Sequence, residues 1–231
     1  MNNETACWAI LPAAGIGERF GSNIPKQYVK IADKTILEHA LKPFLTNENI
    51  TGVAVALNSH DDHFSNLQIK TSKQFITTVG GETRAHSVLN ALIEIENLLD
   101  RSDFVLVHDA ARPCLSHQDL NALIENTIDL GVGSILAGPV ADTVKRVEGN
   151  TIVETIDRSD LWHAYTPQMF RYHLLFTALK KCIDKNISIT DEASAIEEIG
   201  LKVNVLRGDS AKVKITIPQD LKIAEKFLSV E

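Results

Sequence analysis

Between Leu11 and Gln27 the chain reads LPAAGIGERFGSNIPKQ, a run of small residues directly behind an apolar stretch, with two cations, Arg19 and Lys26, spaced along it. Small residues let backbone N–H groups approach an anion within hydrogen-bond reach, and cations nearby strengthen what the peptide dipoles already favour. Pro12, Ala13, Ala14, Gly15 and Gly17 therefore form a candidate phosphate cradle, with Arg19 and Lys26 as its charges. Alone, Gly15 and Gly17 would serve equally as a tight strand-to-helix turn, and Lys26 tips the balance toward phosphate chemistry. Two familiar phosphate loops fail on spacing. A dinucleotide fingerprint would need a glycine at Phe20, and a Walker A loop would need Gly-Lys-Ser/Thr where Phe20, Gly21 and Ser22 stand.

Two further motifs sit where strands should end. Gly80-Gly81-Glu82-Thr83-Arg84-Ala85-His86-Ser87 opens a helix after a strand, a setting in which backbone groups and the Ser87 hydroxyl can read a planar base. His108-Asp109-Ala110-Ala111-Arg112-Pro113 places a carboxylate at the carboxyl end of an apolar strand, where open α/β sheets gather their ligands. Asp109 is the candidate ligand for Mg²⁺ or another divalent cation, since Mg²⁺ is commonly held by one or two carboxylates plus substrate phosphates. The plainer alternatives are a Gly-Gly turn and an Asp that caps the next turn. Downstream, Thr143, Arg158, Thr166 and Thr190 recur in polar segments, and Lys214 sits in an alternating run before Pro218. An isolated Arg158 is ordinarily solvated, and Thr190-Asp191-Glu192 reads as a helix start with Thr190 as N-cap.

Taken together, P-A-A-G-x-G-x-R with P-K-Q, then H-D-A-A-R-P and D-R-x-x-L-W-x-A-x-T-P-Q, resemble the methylerythritol phosphate cytidylyltransferase family, within the sugar-phosphate nucleotidyltransferases. The resemblance runs from Ile10 to about Leu221. It implies transfer of CMP from CTP to 2-C-methyl-D-erythritol 4-phosphate, with release of pyrophosphate. It assigns nucleotide binding to Pro12, Ala13, Ala14, Gly15, Gly17, Gly80, Gly81, Glu82, Arg84, Ser87, Asp109 and Ala110, with catalytic roles for Arg19, Lys26, Arg158 and Lys214. Arg112, Thr143, Arg158, Thr166, Thr190 and Lys214 become the polyol phosphate pocket, part of it supplied by a partner subunit in a homodimer. A cytidylyltransferase for another polyol phosphate, such as ribitol 5-phosphate, shares the first three motifs, and a non-catalytic nucleotide sensor on the same fold is the alternative of a different class.

To position such residues the chain must supply a sheet with its loops on one edge. Apolar, β-branched runs near 7–12, 51–57, 74–79, 103–108, 133–138, 203–206 and 212–217 alternate with helical periodicities over 36–46, 84–99, 117–129, 171–184, 191–199 and 219–229. That alternation predicts one α/β domain over 1–231, a Rossmann-like, mainly parallel sheet with helices on both faces. Residues 139–159 interrupt it with two β-prone runs around Glu148-Gly149-Asn150, a protruding β-hairpin arm of the kind that needs something to pack on. A net charge of −7 argues against a general nucleic-acid binder. The longest early apolar stretch is too short for a membrane span, and the three scattered cysteines suggest reduced, packed thiols, so the expectation is a cytoplasmic protein. His60 and His63 are i, i+3 but lack a third ligand nearby, and read as an acidic, exposed helix start.

Overall fold

The computed structural model describes residues 5–15, 20–21, 24–208 and 213–229. Gly17 and Arg19, two of the residues expected in the phosphate loop, lie outside these. Eleven strands and six α-helices are formed within the described residues: β1 Cys7–Pro12, β2 Lys30–Ile31, β3 Lys34–Thr35, α1 Ile36–Thr46, β4 Gly52–Leu57, β5 Gln74–Val79, α2 Arg84–Glu94, β6 Phe104–Val107, α3 His117–Leu130, β7 Ser134–Pro139, β8 Val144–Glu148, β9 Thr151–Ile156, β10 Trp162–Arg171, α4 Tyr172–Asp184, α5 Glu192–Glu198, β11 Asn204–Arg207 and α6 Gln219–Leu228.

Seven strands make the main sheet in the order β11-β7-β10-β6-β1-β4-β5. β1 is an interior strand, parallel to its neighbours β4 and β6, and every residue from Cys7 to Leu11 is buried because helices cover both faces. Val55, Leu106 and Leu11 face the α1 and α3 side, whereas Ile10, Val105 and Val107 face α2, α4 and α5, as the period-2 geometry of a strand requires. Gly52 is required where β4 passes the Trp8 ring, since a Cβ there would stand 2.5 Å from it. α1 begins where the sequence predicts, with a capping box in which Thr35 Oγ1 accepts from Glu38 N–H and Glu38 Oε2 accepts from Thr35 N–H.

Two sequence expectations are corrected. Residues 162–171 form β10, a ten-residue strand inserted antiparallel between β6 and β7. Residues 213–216 form no strand: Val213 and Ile215 pack inward against Phe20, Ile36 and Ala224, and one backbone bond ties Ile215 N–H to Ala111 C=O at 2.8 Å. The expected arm is present as the β8–β9 ribbon, hydrogen-bonded only to itself as a two-stranded sheet. Its root is closed by Val140 N–H donating to Leu161 C=O at 3.0 Å. The His60–His63 segment is a turn, in which Asp61 accepts from the N–H groups of His63 and Phe64 and from the Tyr28 hydroxyl. No described helix is long and apolar enough to cross a membrane.

Candidate active site

The carboxyl ends of β1, β5 and β6 open into a cleft of about 240 Å³ lined by Pro12 to Gly15, Lys26, Gln27, Gly81 to Arg84, Ser87, Asp109 to Ala111 and Lys214. Residues far apart in sequence thus meet at one sheet edge, where parallel strands deliver their loops. The first loop is held from behind by side-chain amides: Gln27 Nε2 donates to Ala13 C=O at 2.7 Å, and Asn58 Nδ2 donates to Ala14 C=O at 3.2 Å. With both carbonyls occupied and Ala13 N–H bonded to Ala56 C=O, the backbone of Ala13 and Ala14 is held by the chain itself. Gln27, buried to 4% exposure, was legible only as part of P-K-Q, without this role.

The Gly-Gly step is tight for a steric reason. A Cβ on Gly80 would stand 2.4 Å from the Ala14 Cβ and 2.9 Å from Ser87 Oγ, and one on Gly81 would stand 2.4 Å from the His86 Cβ. Ser87 is buried in the first turns of α2, where its hydroxyl accepts from Gly81 N–H at 3.1 Å and donates to Thr83 C=O at 3.0 Å. It shapes the floor of the cleft through the backbone it binds. Thr83 caps α2 by accepting from His86 N–H.

Asp109 is the electrostatic centre. Its Oδ1 accepts from Arg84 Nε at 2.8 Å, its Oδ2 accepts from Lys214 Nζ at 2.8 Å, and Arg112 Nε stands 3.5 Å from Oδ2. Burial alone would raise the carboxyl, but the charges of Arg84, Lys214 and Arg112 override it and hold Asp109 far below the usual carboxylate range. Lys26 Nζ, across the cleft, donates to Ile215 C=O at 3.1 Å, so Lys26 and Lys214 are brought together by the 213–216 segment. The fixed cations suit a polyanionic ligand, and the acidic Asp109 keeps them aligned without one.

Behind Asp109 lies a chain of bonds that the sequence did not announce. Arg112 C=O can only accept, so His108 Nε2, 3.0 Å away, carries the ring proton. Burial lowers His108 to about 4, leaving it neutral, and its Nδ1 then accepts the Thr166 hydroxyl proton at 3.1 Å. Thr166 Oγ1 in turn accepts from Asp109 N–H at 3.0 Å. Thr166, expected by resemblance among the polyol phosphate residues, is therefore 4% exposed, committed to His108, and outside the lining of this cleft. Arg112 is likewise buried, its guanidinium 5.4 Å from the centre of the Tyr165 ring.

A second hollow of about 270 Å³ shares Thr83 and Arg84 with the cleft and is lined on its far side by Asn186 to Glu192, Thr190 included. The N-cap of α5 is Asp191 rather than Thr190: its side chain accepts from Ser194 N–H, and the Ser194 hydroxyl accepts from the backbone N–H of both Thr190 and Asp191. Thr143 and Arg158 are not gathered at either hollow. Both are exposed on the arm, where Arg158 bonds Ala141 C=O.

Fold and site together define an α/β protein with a cleft lined by Lys26, Arg84 and Lys214 at the carboxyl edge of its sheet, with neither a dinucleotide nor a Walker sequence in its first loop. The model of the IspD family, 2-C-methyl-D-erythritol 4-phosphate cytidylyltransferase, matches residues 7–230. Proteins of that name from Vibrio vulnificus and Actinobacillus pleuropneumoniae are 45% and 47% identical, over 98% and 96% of this chain and 96% and 95% of their own. The crystal structure of the Francisella tularensis 2-C-methyl-D-erythritol 4-phosphate cytidylyltransferase superposes with a TM-score of 0.83 at 36% identity, covering 96% of this chain and all of that one (100%). The chain belongs to the 2-C-methyl-D-erythritol 4-phosphate cytidylyltransferase family.

Proposed function

We propose that this enzyme transfers the CMP moiety of CTP to 2-C-methyl-D-erythritol 4-phosphate, giving 4-diphosphocytidyl-2-C-methyl-D-erythritol and pyrophosphate in non-mevalonate isoprenoid biosynthesis, as a cytoplasmic enzyme. The observation that carries the reading is the convergence of Lys26, Lys214 and Arg84 around Asp109 beside the Ala13–Gly15 backbone in one cleft. An acceptor phosphate oxygen attacks the α-phosphorus, and the bond from that phosphorus to the bridging oxygen of pyrophosphate breaks in line. A phosphate monoester has its second pKa near 6, so the nucleophile is ionised at neutral pH and needs no general base. His108, buried and neutral, has no proton-transfer task in this scheme. The difficulty is charge, and Lys26 in the cleft, with Arg19 from the same loop, answers it by stabilising the equatorial and leaving oxygens. Lys214, its side chain 44% exposed at the cleft mouth, is free enough to exchange Asp109 for the incoming phosphate.

The donor set at Asp109 fits Mg²⁺: one hard carboxylate facing the cleft, where substrate phosphates and water would complete six oxygen ligands. Asp109 would hold the ion, which when bound supplies charge neutralisation at the triphosphate. Thr143 and Arg158 complete the acceptor site from the arm of a second copy in a homodimer. Val147 and Ile152, paired across the arm, are 55% and 59% exposed, an apolar pair that a lone two-stranded ribbon leaves wet and that a partner would cover. Pyrophosphate release from CTP across a panel of polyol phosphates, with and without Mg²⁺, tests the reading. Release with the methylated tetritol phosphate alone supports it, release with ribitol 5-phosphate instead would move the acceptor, and no release with any acceptor would leave a nucleotide sensor.

A further inference from the structure

Glu192 occupies the first turn of α5, a position that helix-start chemistry alone would explain, yet its side chain is 1% exposed and both its oxygens face Arg84. Arg84 Nη1 donates to Oε1 at 2.6 Å and Nη2 to Oε2 at 2.9 Å, while the same guanidinium sends Nε–H to Asp109 Oδ1 at 2.8 Å. A guanidinium is planar and rigid, so gripping its Nη edge in a bidentate pair fixes the direction in which Nε–H points. Glu192 is itself held: Gln168 Oε1 accepts from Ala193 N–H at 2.9 Å, Gln168 Nε2 donates to Asp191 Oδ2 at 2.8 Å, and Asp191 and Ser194 close a capping box around it. We infer that Glu192 is a positioning residue for CMP transfer, acting through Arg84 to set the orientation and charge of Asp109.

This rests on the function proposed above. Two consequences distinguish it from a salt bridge that merely staples α2 to α5. Glu192 balances Arg84, so that Asp109 meets a shared cation on Oδ1 and keeps Oδ2 toward Lys214 and the cleft. Without Glu192, Arg84, its side chain 30% exposed, keeps Asp109 as its carboxylate partner but loses the anchor on its Nη edge, and the Oδ2 face turns away from the substrate. The influence of Glu192 must therefore pass through Asp109, whereas a staple would act on both backgrounds alike.

The test compares Glu192→Gln, Asp109→Asn and the double variant with the parent by single-turnover CMP transfer from labelled CTP, alongside thermal unfolding. Supporting partners that orient a reacting group are worth about 10- to 100-fold. The expected result is a drop of about that size in kcat for Glu192→Gln, with the KM for CTP changed by less than about threefold and a far smaller drop in the Asp109→Asn background. Equal losses in both backgrounds, or a kcat within about twofold of the parent, would overturn the inference. Should the glutamine variant unfold, Glu192→Asp keeps the charge and shortens the reach by one methylene, and the same comparison is made with it. A parent that transfers no CMP defeats the proposed function, while an active parent unaffected by Glu192→Gln defeats this inference alone.

Discussion

The cleft at the sheet edge and the arm differ in how much of their geometry a single chain determines. In the cleft, the loop carbonyls, the Ser87 hydroxyl, and the Asp109 carboxylate and amide all have partners within the chain. On the arm, Thr143 and Arg158 lie exposed, and the ribbon's own ladder does not touch the sheet's. Under the proposed function, groups that must resist rearrangement while charge develops are built into the core, and the groups proposed to select the acceptor are set on the exposed ribbon. Preorganisation and adaptability are divided between two regions.

Removing a cation from the fixed region breaks the comparison most directly. Lys26→Ala is expected to lower kcat by about 10²- to 10³-fold or more, the usual consequence of deleting a preorganised donor to an oxyanion, while circular dichroism shows the fold intact. Near-normal turnover would remove the role given to it. On the arm, Arg158→Ala should raise the KM for the acceptor phosphate by about 10- to 100-fold, the value of one charge-assisted contact, and leave CTP binding by calorimetry unchanged. If CTP binding falls instead, the arm belongs to the nucleotide half and the division collapses.

Smaller effects sharpen it. Gly81→Ala forces a Cβ to within 2.4 Å of the His86 Cβ. Such overpacking costs about 1–3 kcal/mol, and denaturant unfolding together with a rise in the CTP KM should report it. Acidification probes the buried wiring. His108 sits at about 4 in the folded protein against 6.5 unfolded, so between those values the unfolded chain binds more protons and stability rises with pH. From pH 7 to 5 His108 should remove about 1–2 kcal/mol, while Glu192, raised by burial, titrates in the opposite sense because its folded form takes up the proton first. His108→Gln should flatten that slope whatever it does to the absolute stability, and an unchanged slope would contradict a buried neutral imidazole.

The sequence made the layered architecture readable because hydrophobic periodicity reports burial. It located most helices and parallel strands within a residue or two, and Thr35 with Glu38 announced α1 outright. The same logic misled at 213–216, where Val213 and Ile215 alternate with Lys214 and Thr216 because every second residue is buried, without a neighbouring strand to pair with. β10 went unread since Trp162 to Gln168 carried a recognisable motif, and nothing in a pattern of side chains states that a strand runs antiparallel to its neighbours. At the cleft, the motif residues Pro12 to Gly15, Lys26, Gly81, Glu82, Arg84, Ser87, Asp109, Ala110 and Lys214 do share one lining, while Gly80 stands behind it against Ala14 and Ser87. The supporting set, Gln27, Asn58, His108, Gln168 and Glu192, stayed hidden because each makes contacts far away in sequence, and only the folded chain sets an amide beside its carbonyl.

The antiparallel course of β10 has a consequence for how this protein can change. Because β10 returns alongside β7, the departure and re-entry points of the arm are adjacent, with the Val140–Leu161 backbone bond continuing the β7–β10 pairing. Everything between them is a cassette hung on a closed clasp. Because no ladder joins the ribbon to the sheet beneath, its length and composition can be exchanged in the laboratory while that sheet keeps its register.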